Sequence, residues 1–149
     1  MESNHHHFMG LALEQARRGL SEGNSPIGSV IVRDGTVIGE GHNTVTTDLD
    51  PTAHAETMAI RDACRKLGTT DLAGATCYTT VEPCPMCCWM IVRSGIRHLV
   101  LGARYAGLPD ADVGDYTVEG LVALTAKSLD VVTGVRVEEC IAVRDQGSA

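Results

Sequence analysis

The residues best suited to chemistry are one histidine, two cysteines and one glutamate, which lie in two short motifs. His54-Ala55-Glu56 is followed further along the chain by Pro83-Cys84-Pro85-Met86-Cys87. His54, Cys84 and Cys87 are ligand types that zinc prefers, and together they would leave its fourth position open. Structural zinc sites are usually closed by four protein ligands, whereas three ligands and an open position are typical of catalytic zinc. The motifs therefore predict a catalytic zinc site.

Glu56 is not needed as a ligand and is free to move protons. The pattern H-x-E with P-C-x-x-C is the signature of zinc-dependent nucleobase and nucleotide deaminases, in which zinc activates a water and the glutamate acts as acid and base. Zinc lowers the pKa of its water from about 15.7 to about 7. A positioned carboxylate that transfers protons typically contributes about 10²–10⁴-fold in rate. The predicted products are a ring carbonyl and ammonia.

A structural zinc knuckle is the alternative interpretation of the same residues. It needs a fourth ligand, and Cys88 is the nearest thiol. Adjacent cysteines rarely both reach one ion, and Glu56 would then have no role. We therefore favour the catalytic interpretation.

Composition indicates one compact domain that acts on a small molecule. The chain has 149 residues, a formal net charge of −7 and a pI of about 5.2. Nucleic-acid binders usually present a basic face, because phosphate contacts dominate their affinity. Composition therefore argues against a nucleic-acid partner, which would need a local basic patch on an acidic domain. The absence of a secretory signal and of a long apolar run, together with a Cys-x-x-Cys motif, favours a cytoplasmic protein without a membrane segment.

Apolar periodicity and turn residues predict a three-layer α/β/α sandwich with a central mixed five-stranded sheet. His5-His6-His7 belongs to residues 1–7, for which we predict disorder, and residues 8–149 are predicted to form a single zinc-dependent deaminase domain. Asp34-Gly35 between two apolar runs predicts a hairpin. The predicted helices are 8–22, 53–67, one from Pro85 to Ser94-Gly95, 117–128 and a short terminal helix; the predicted strands are 27–33, 36–43, 75–81, 98–103 and 129–135.

Two of the predicted helices have the candidate ligands in their first turns. His54 begins one helix, and Cys84 and Cys87 begin the other. A helix N-terminus carries a partial positive charge, which favours thiolate over thiol. Asn43, at the end of a strand, is a candidate contact for a base edge, and a turn-forming role is its alternative.

The sequence resembles the cytidine deaminase-like superfamily over roughly residues 8–135, and within it the guanine/cytosine (nucleobase) deaminase branch. The runs Asn43-Thr44-Val45-Thr46-Thr47 and Asp50-Pro51-Thr52-Ala53-His54-Ala55-Glu56 look most like guanine deaminase, and Glu82-Pro83-Cys84-Pro85-Met86-Cys87 agrees with them. The resemblance implies that His54, Cys84 and Cys87 bind Zn²⁺, that Glu56 is catalytic and that Asn43 binds substrate. It also implies a base contact at Asp115 and a homodimer, for which Trp89, Met90 and Ile91 would offer apolar surface.

The C-terminal residues depart from the relatives. Guanine and cytosine deaminases close their pockets with aromatic residues near the C-terminus, and tRNA adenosine deaminases have a basic, aromatic terminal helix. Residues 143–149 contain no aromatic residue. We expect deamination of a free nucleobase or a similar small aminated heterocycle, with guanine favoured, then cytosine or triazine-like compounds. A tRNA-specific adenosine deaminase is the main alternative, followed by a nucleoside deaminase and a non-catalytic zinc-binding domain.

Overall fold

The computed structural model describes residues 2–148. The strands are β1 (Gly28–Arg33), β2 (Thr36–His42), β3 (Thr76–Val81), β4 (His98–Ala103) and β5 (Asp130–Val132). They form one mixed sheet in the order β2-β1-β3-β4-β5, in which β1 is antiparallel to β2 and β3, and β4 is parallel to β3 and β5. The helices are α1 (Glu2–Ser21), α2 (Val45–Asp48), α3 (Ala55–Leu67), α4 (Pro85–Arg93), α5 (Val118–Ala123) and α6 (Val137–Asp145), with 3₁₀ turns at Tyr105–Gly107 and Gln146–Ser148.

Helices cover both faces of the sheet, so the predicted three-layer architecture is confirmed. Successive side chains of a strand point to opposite faces, and β1 shows this directly. Ile31 packs into the core formed with α3, α4 and α5, whereas Val30 and Val32 pack into the core formed with α1 and α6. Among residues 2–148, no helix has both the length and the apolar character of a membrane span.

The predicted hairpin is also confirmed. Asp34 and Gly35 both have positive φ, 52° and 74° respectively. A two-residue loop with positive φ at both positions is the type I′ turn that the right-handed twist of paired strands favours. This turn brings β2 back along β1 in antiparallel register.

The N-terminal residues differ from the sequence prediction. Helix α1 begins at Glu2, so residues 2–7 are helical, whereas Met1 lies outside the described residues. His5 Nδ1 lies 2.7 Å from the hydroxyl oxygen of Tyr78 in β3. Arg136 donates a hydrogen bond of 3.1 Å to the carbonyl oxygen of His6. Contacts with distant parts of the chain, which local composition does not reveal, hold this segment against the domain.

Helix α2 was not predicted, because the residue that supports it is distant in sequence. The Asn24 Oδ1 accepts hydrogen bonds of 3.1 Å from the backbone N–H groups of Thr46 and Thr47. The first N–H groups of a helix have no acceptor within the helix, so a side-chain oxygen is needed to pair them. A side chain from the turn after α1 therefore fixes the helical turn that follows Asn43.

Two glycines in β2 allow α3 to lie directly on the sheet. A Cβ at Gly39 would lie 2.5 Å from the carbonyl oxygen of Ala59, and a Cβ at Gly41 would lie 2.5 Å from the backbone nitrogen of the same residue. Real Cβ atoms essentially never approach backbone so closely. The position of α3, and of the motif at its start, therefore depends on these glycines.

Gly41→Ala should destabilise the fold by about 1–3 kcal/mol, the usual cost of overpacking a well-packed interior. The added methyl group can be accommodated only if α3 moves away from β2. Urea unfolding measured by circular dichroism checks this expectation. Gly107→Ala is the matched control, because a Cβ there meets nothing within 4 Å. Equal stability of the two variants would contradict the close approach.

Candidate active site

The candidate ligands come from the starts of α3 and α4, as predicted. His54 is the N-cap residue of α3 and Cys84 is the N-cap residue of α4, and both have extended backbone conformations. Pro85 follows at the first helical position, where its missing N–H costs nothing. Cys87 then lies within the first turn of α4. The partial positive charge of both helix N-termini is therefore directed to one place.

The three side chains are close enough to share one metal ion. His54 Nδ1 lies 3.4 Å from Cys84 Sγ and 3.5 Å from Cys87 Sγ, and all three ligand atoms lie within 4.8 Å of one another. Tetrahedral zinc with Zn–N and Zn–S bonds of about 2.0 and 2.3 Å separates a nitrogen from a sulfur by about 3.5 Å. The donor set therefore fits zinc in type and in spacing. Among the described residues, Cys88 is not part of this group.

The electrostatics of the group favour a thiolate. The contact with Cys87 lowers the pKa of the Cys84 thiol to about 4, and the contact with His54 adds to this effect. The pKa of Cys87 is raised in turn, because Cys84 and burial disfavour a second negative charge without a cation. A bound cation would remove that penalty, since a coordinating thiol is deprotonated. The pair is thus suited to hold a dication and poorly suited to remain without one.

Glu56 is buried beside these ligands. The residue is 4% exposed, and burial raises the pKa of its carboxyl group to about 7. General acid–base catalysis is most efficient when the pKa of the catalytic group is near the working pH. The burial of Glu56 therefore gives it the property that a proton carrier needs.

A cavity of about 230 Å³ opens onto the group. It is lined by Ser25, Ile27, Asn43, His54, Ala55, Glu56, Val81, Glu82, Cys84 and Tyr105. Asn43 is buried, and its Oδ1 accepts a hydrogen bond of 3.0 Å from the backbone N–H of Val45. Both interpretations of Asn43 are therefore compatible with the structure, because its oxygen supports the turn while the residue lines the cavity.

Asp115 is not brought into this cavity. It is exposed in the loop between β4 and α5, and it lines a neighbouring cavity of about 450 Å³. Its role as a base contact stays a prediction from the resemblance.

Sequence reasoning missed several residues of the cavity wall, including Glu82 and Tyr105, which carry polar side-chain groups that could contact a ligand. Glu82 is 2% exposed, and its carboxylate accepts hydrogen bonds from the Arg104 guanidinium and from the backbone N–H groups of Tyr105 and Val118 at 2.9–3.1 Å. The available signal was a charged residue that ends an apolar strand immediately before Pro83. Tyr105 gave no comparable signal, because its position depends on how the loop after β4 folds.

Comparisons with known proteins agree with this geometry. The sequence profile of the cytidine and deoxycytidylate deaminase zinc-binding region matches residues 2–103. The chain is 43% identical over 97 residues to a tRNA-specific adenosine deaminase of Aquifex aeolicus, which covers 65% of this chain and 64% of that protein. It is 42% identical over 113 residues to the guanine deaminase of Bacillus subtilis, which covers 75% of this chain and 72% of that protein. The match thus spans less than two thirds of the Aquifex protein.

Solved structures give the same result at the level of the fold. A structure from a study of A-to-I editing by tRNA:A34 deaminases superposes with a TM-score of 0.81 at 38% identity, covering 92% of this chain and 98% of that chain. The profile match includes all of the two motifs, and the three ligand atoms converge as a zinc site requires. The chain therefore belongs to the zinc-binding cytidine and deoxycytidylate deaminase family.

Proposed function

We propose that this protein is a hydrolytic deaminase of a free nucleobase or a similar small aminated heterocycle, with guanine favoured over cytosine and triazine-like compounds. The proposal rests mainly on the size and lining of the cavity at Glu56. Its volume of about 230 Å³ is below the roughly 300–1,000 Å³ of pockets that hold drug-sized ligands. A single heterocycle suits such a space better than a nucleotide does.

His54, Cys84 and Cys87 would hold the zinc ion in this proposal, and Glu56 would carry protons. Zinc, when bound, supplies an activated water by lowering its pKa to about 7. The Glu56 carboxylate accepts a proton from the attacking water and delivers it to a ring nitrogen of the substrate. It then takes the second proton of that water, from the hydroxyl now added to the ring carbon, and passes it to the amine; the C–N bond breaks, ammonia leaves and a ring carbonyl remains. Its raised pKa makes both directions of transfer accessible near neutral pH.

Asn43 would orient the ring. Its side-chain amide can donate to a carbonyl or ring nitrogen at the base edge. A buried polar group left unpaired costs about 1–3 kcal/mol, so a ring without a matching acceptor would bind less well. The fixed position of Asn43, whose oxygen already bonds Val45, makes that donor preorganised.

The relatives support two substrates. The guanine deaminase of Bacillus subtilis supports a free base, and the Aquifex tRNA-specific adenosine deaminase supports an adenosine within tRNA. We favour the free base because of the small cavity and the net charge of −7.

One structural observation favours tRNA as the second candidate. A groove of about 310 Å³ includes Thr44, the neighbour of Asn43, and its lining has four basic side chains, Arg18, Arg61, Arg65 and Lys66, against two acidic ones, Glu40 and Asp62. Lys66 is paired with Asp62 at 2.9 Å, and Arg61 is 3.9 Å from Asp50. Phosphate groups are attracted to such a surface, and that attraction weakens with salt.

Ammonia release from a panel of free bases, beside inosine formation in tRNA, tests the proposal. We expect purified, zinc-containing protein to release ammonia from guanine faster than from cytosine or adenine. Inosine formation in tRNA without ammonia release from any base would reject the proposed substrate class. A cytosine preference would reject guanine alone.

Cys84→Ala should lose zinc, whereas Cys88→Ala should retain about one zinc per chain. The reason is that Cys84 belongs to the converging group and Cys88 does not. Metal analysis of dialysed proteins provides the measurement. Loss of zinc from both variants would indicate a closed structural site and would contradict the open catalytic one.

Glu56→Gln should abolish turnover while zinc content and fold remain. Glutamine keeps the size of the side chain but cannot accept the proton. Single-turnover assays with metal analysis on the same sample check this. Zinc loss in proportion to lost activity would make Glu56 a ligand and the assigned role wrong.

Asp115→Ala tests whether Asp115 contacts the base, as the resemblance implies, or lies away from it, as the geometry indicates. Because the side chain is exposed and lines only the neighbouring cavity, unfolding free energy and kcat/KM for guanine should change little. A large loss of kcat/KM in a folded, zinc-containing variant would show that the loop brings this carboxylate to the base.

We also propose a homodimer that uses α4. Trp89 and Met86 are 42% and 40% exposed and lie three residues apart on one side of the helix. Ile91, which the sequence placed on this surface, is fully buried in the core. Sedimentation should give twice the chain mass of 15.8 kDa, and Trp89→Glu should shift the protein towards monomer. A wild-type monomer at micromolar concentration would contradict this.

A further inference from the structure

Two cavities adjoin each other at the start of the loop that follows β4. The catalytic cavity, of about 230 Å³, contains Glu56, and the outer cavity, of about 450 Å³, contains Asp115. Only two residues, Glu82 and Tyr105, line both cavities among those that the structure describes. They form the boundary between the place where the reaction occurs and a larger space beside it.

Glu82 cannot easily leave this boundary. Its carboxylate is buried and accepts hydrogen bonds from Arg104, from the backbone N–H of Tyr105 and from that of Val118. If the carboxylate moved away, these donors would lose their common acceptor, and a buried polar group left unpaired is costly. Glu82 thus fixes the backbone of the loop at Tyr105, the other residue of the boundary.

The Tyr105 ring is held from the other side by a second tyrosine. The centroids of Tyr105 and Tyr116 lie 6.0 Å apart with an interplanar angle of 61°, an edge-to-face arrangement that aromatic pairs favour. The Tyr116 hydroxyl donates a hydrogen bond of 2.6 Å to the carbonyl oxygen of Pro83, the residue before Cys84. Through Tyr116, the Tyr105 ring is therefore held in position relative to the segment that carries Cys84 and Cys87.

We propose that Tyr105 determines substrate size, by separating the catalytic cavity from the outer cavity and so restricting the substrate to a base without its sugar. This inference rests on the proposed function. A base attached to ribose needs space beyond the catalytic cavity, and the outer cavity is the larger adjoining space. The Tyr105 ring closes that direction and offers an apolar surface against which a heterocycle can pack.

The test compares each base with its own nucleoside. Wild type, Tyr105→Ala, Tyr105→Leu and Tyr105→Phe are assayed with guanine and guanosine and with cytosine and cytidine. Tyr105→Phe is the matched control, because it keeps the ring and removes only the hydroxyl. Tyr105→Leu keeps apolar packing and provides a second variant should Tyr105→Ala fail to fold. Zinc content and thermal unfolding are measured on every protein.

Wild type and Tyr105→Phe should strongly prefer the base. In Tyr105→Ala and Tyr105→Leu the ratio of kcat/KM for base over nucleoside should fall by about tenfold or more, a change of the size that pocket shape produces. Calorimetry in the inactive Glu56→Gln background should show nucleoside binding that appears only when the ring is removed. This binding readout does not depend on turnover.

An unchanged ratio in folded, zinc-containing Tyr105→Ala and Tyr105→Leu proteins would overturn the inference while leaving the proposed function intact. Equal use of base and nucleoside by wild type would also overturn it. A wild type that acts on cytosine but not guanine would reject the guanine preference alone, because the cytosine and cytidine pair still reports on Tyr105.

Discussion

The structure depends on two helices that begin at the same place. Helices α3 and α4 start beside each other, so that His54 Nδ1 comes within 3.5 Å of both cysteine sulfurs. Positive helix ends would repel one another, and unpaired thiolates would be costly to bury. The positive helix ends stabilise the negative thiolates, and a bound dication would neutralise the remaining negative charge. Gly39 and Gly41 let α3 approach β2 closely enough for this meeting to occur.

Features that follow from local chemistry could be predicted from the sequence. The hairpin at Asp34-Gly35 requires positive φ at both residues, and aspartate followed by glycine is typical of such a turn. The candidate ligands could be predicted because zinc restricts both residue type and spacing, and the structure brings the three side chains together. Glu56 could be proposed as the proton carrier because the same motif contains one acidic residue that the metal does not need.

Features that depend on distant contacts could not be predicted. Helix α2 is supported by Asn24, and residues 2–7 are held by contacts with Tyr78 and Arg136. The loop after β4 depends on the buried carboxylate of Glu82, which selects the position of Tyr105. Counting along the chain placed Asp115 in the loop after β4, but it could not show that this loop brings Tyr105 to the cavity that contains Glu56. In our proposal substrate choice is decided in this loop, where sequence patterns carry the least information.

X-ray absorption at the zinc edge of the wild-type protein tests the central claim most directly. The account predicts a four-coordinate metal with two sulfur ligands at about 2.3 Å and two lighter ligands at about 2.0–2.1 Å, one from His54 and one from solvent. Three or four sulfur ligands would place a further cysteine on the metal and close the site. Such a result would contradict an open catalytic zinc and, with it, the role of Glu56.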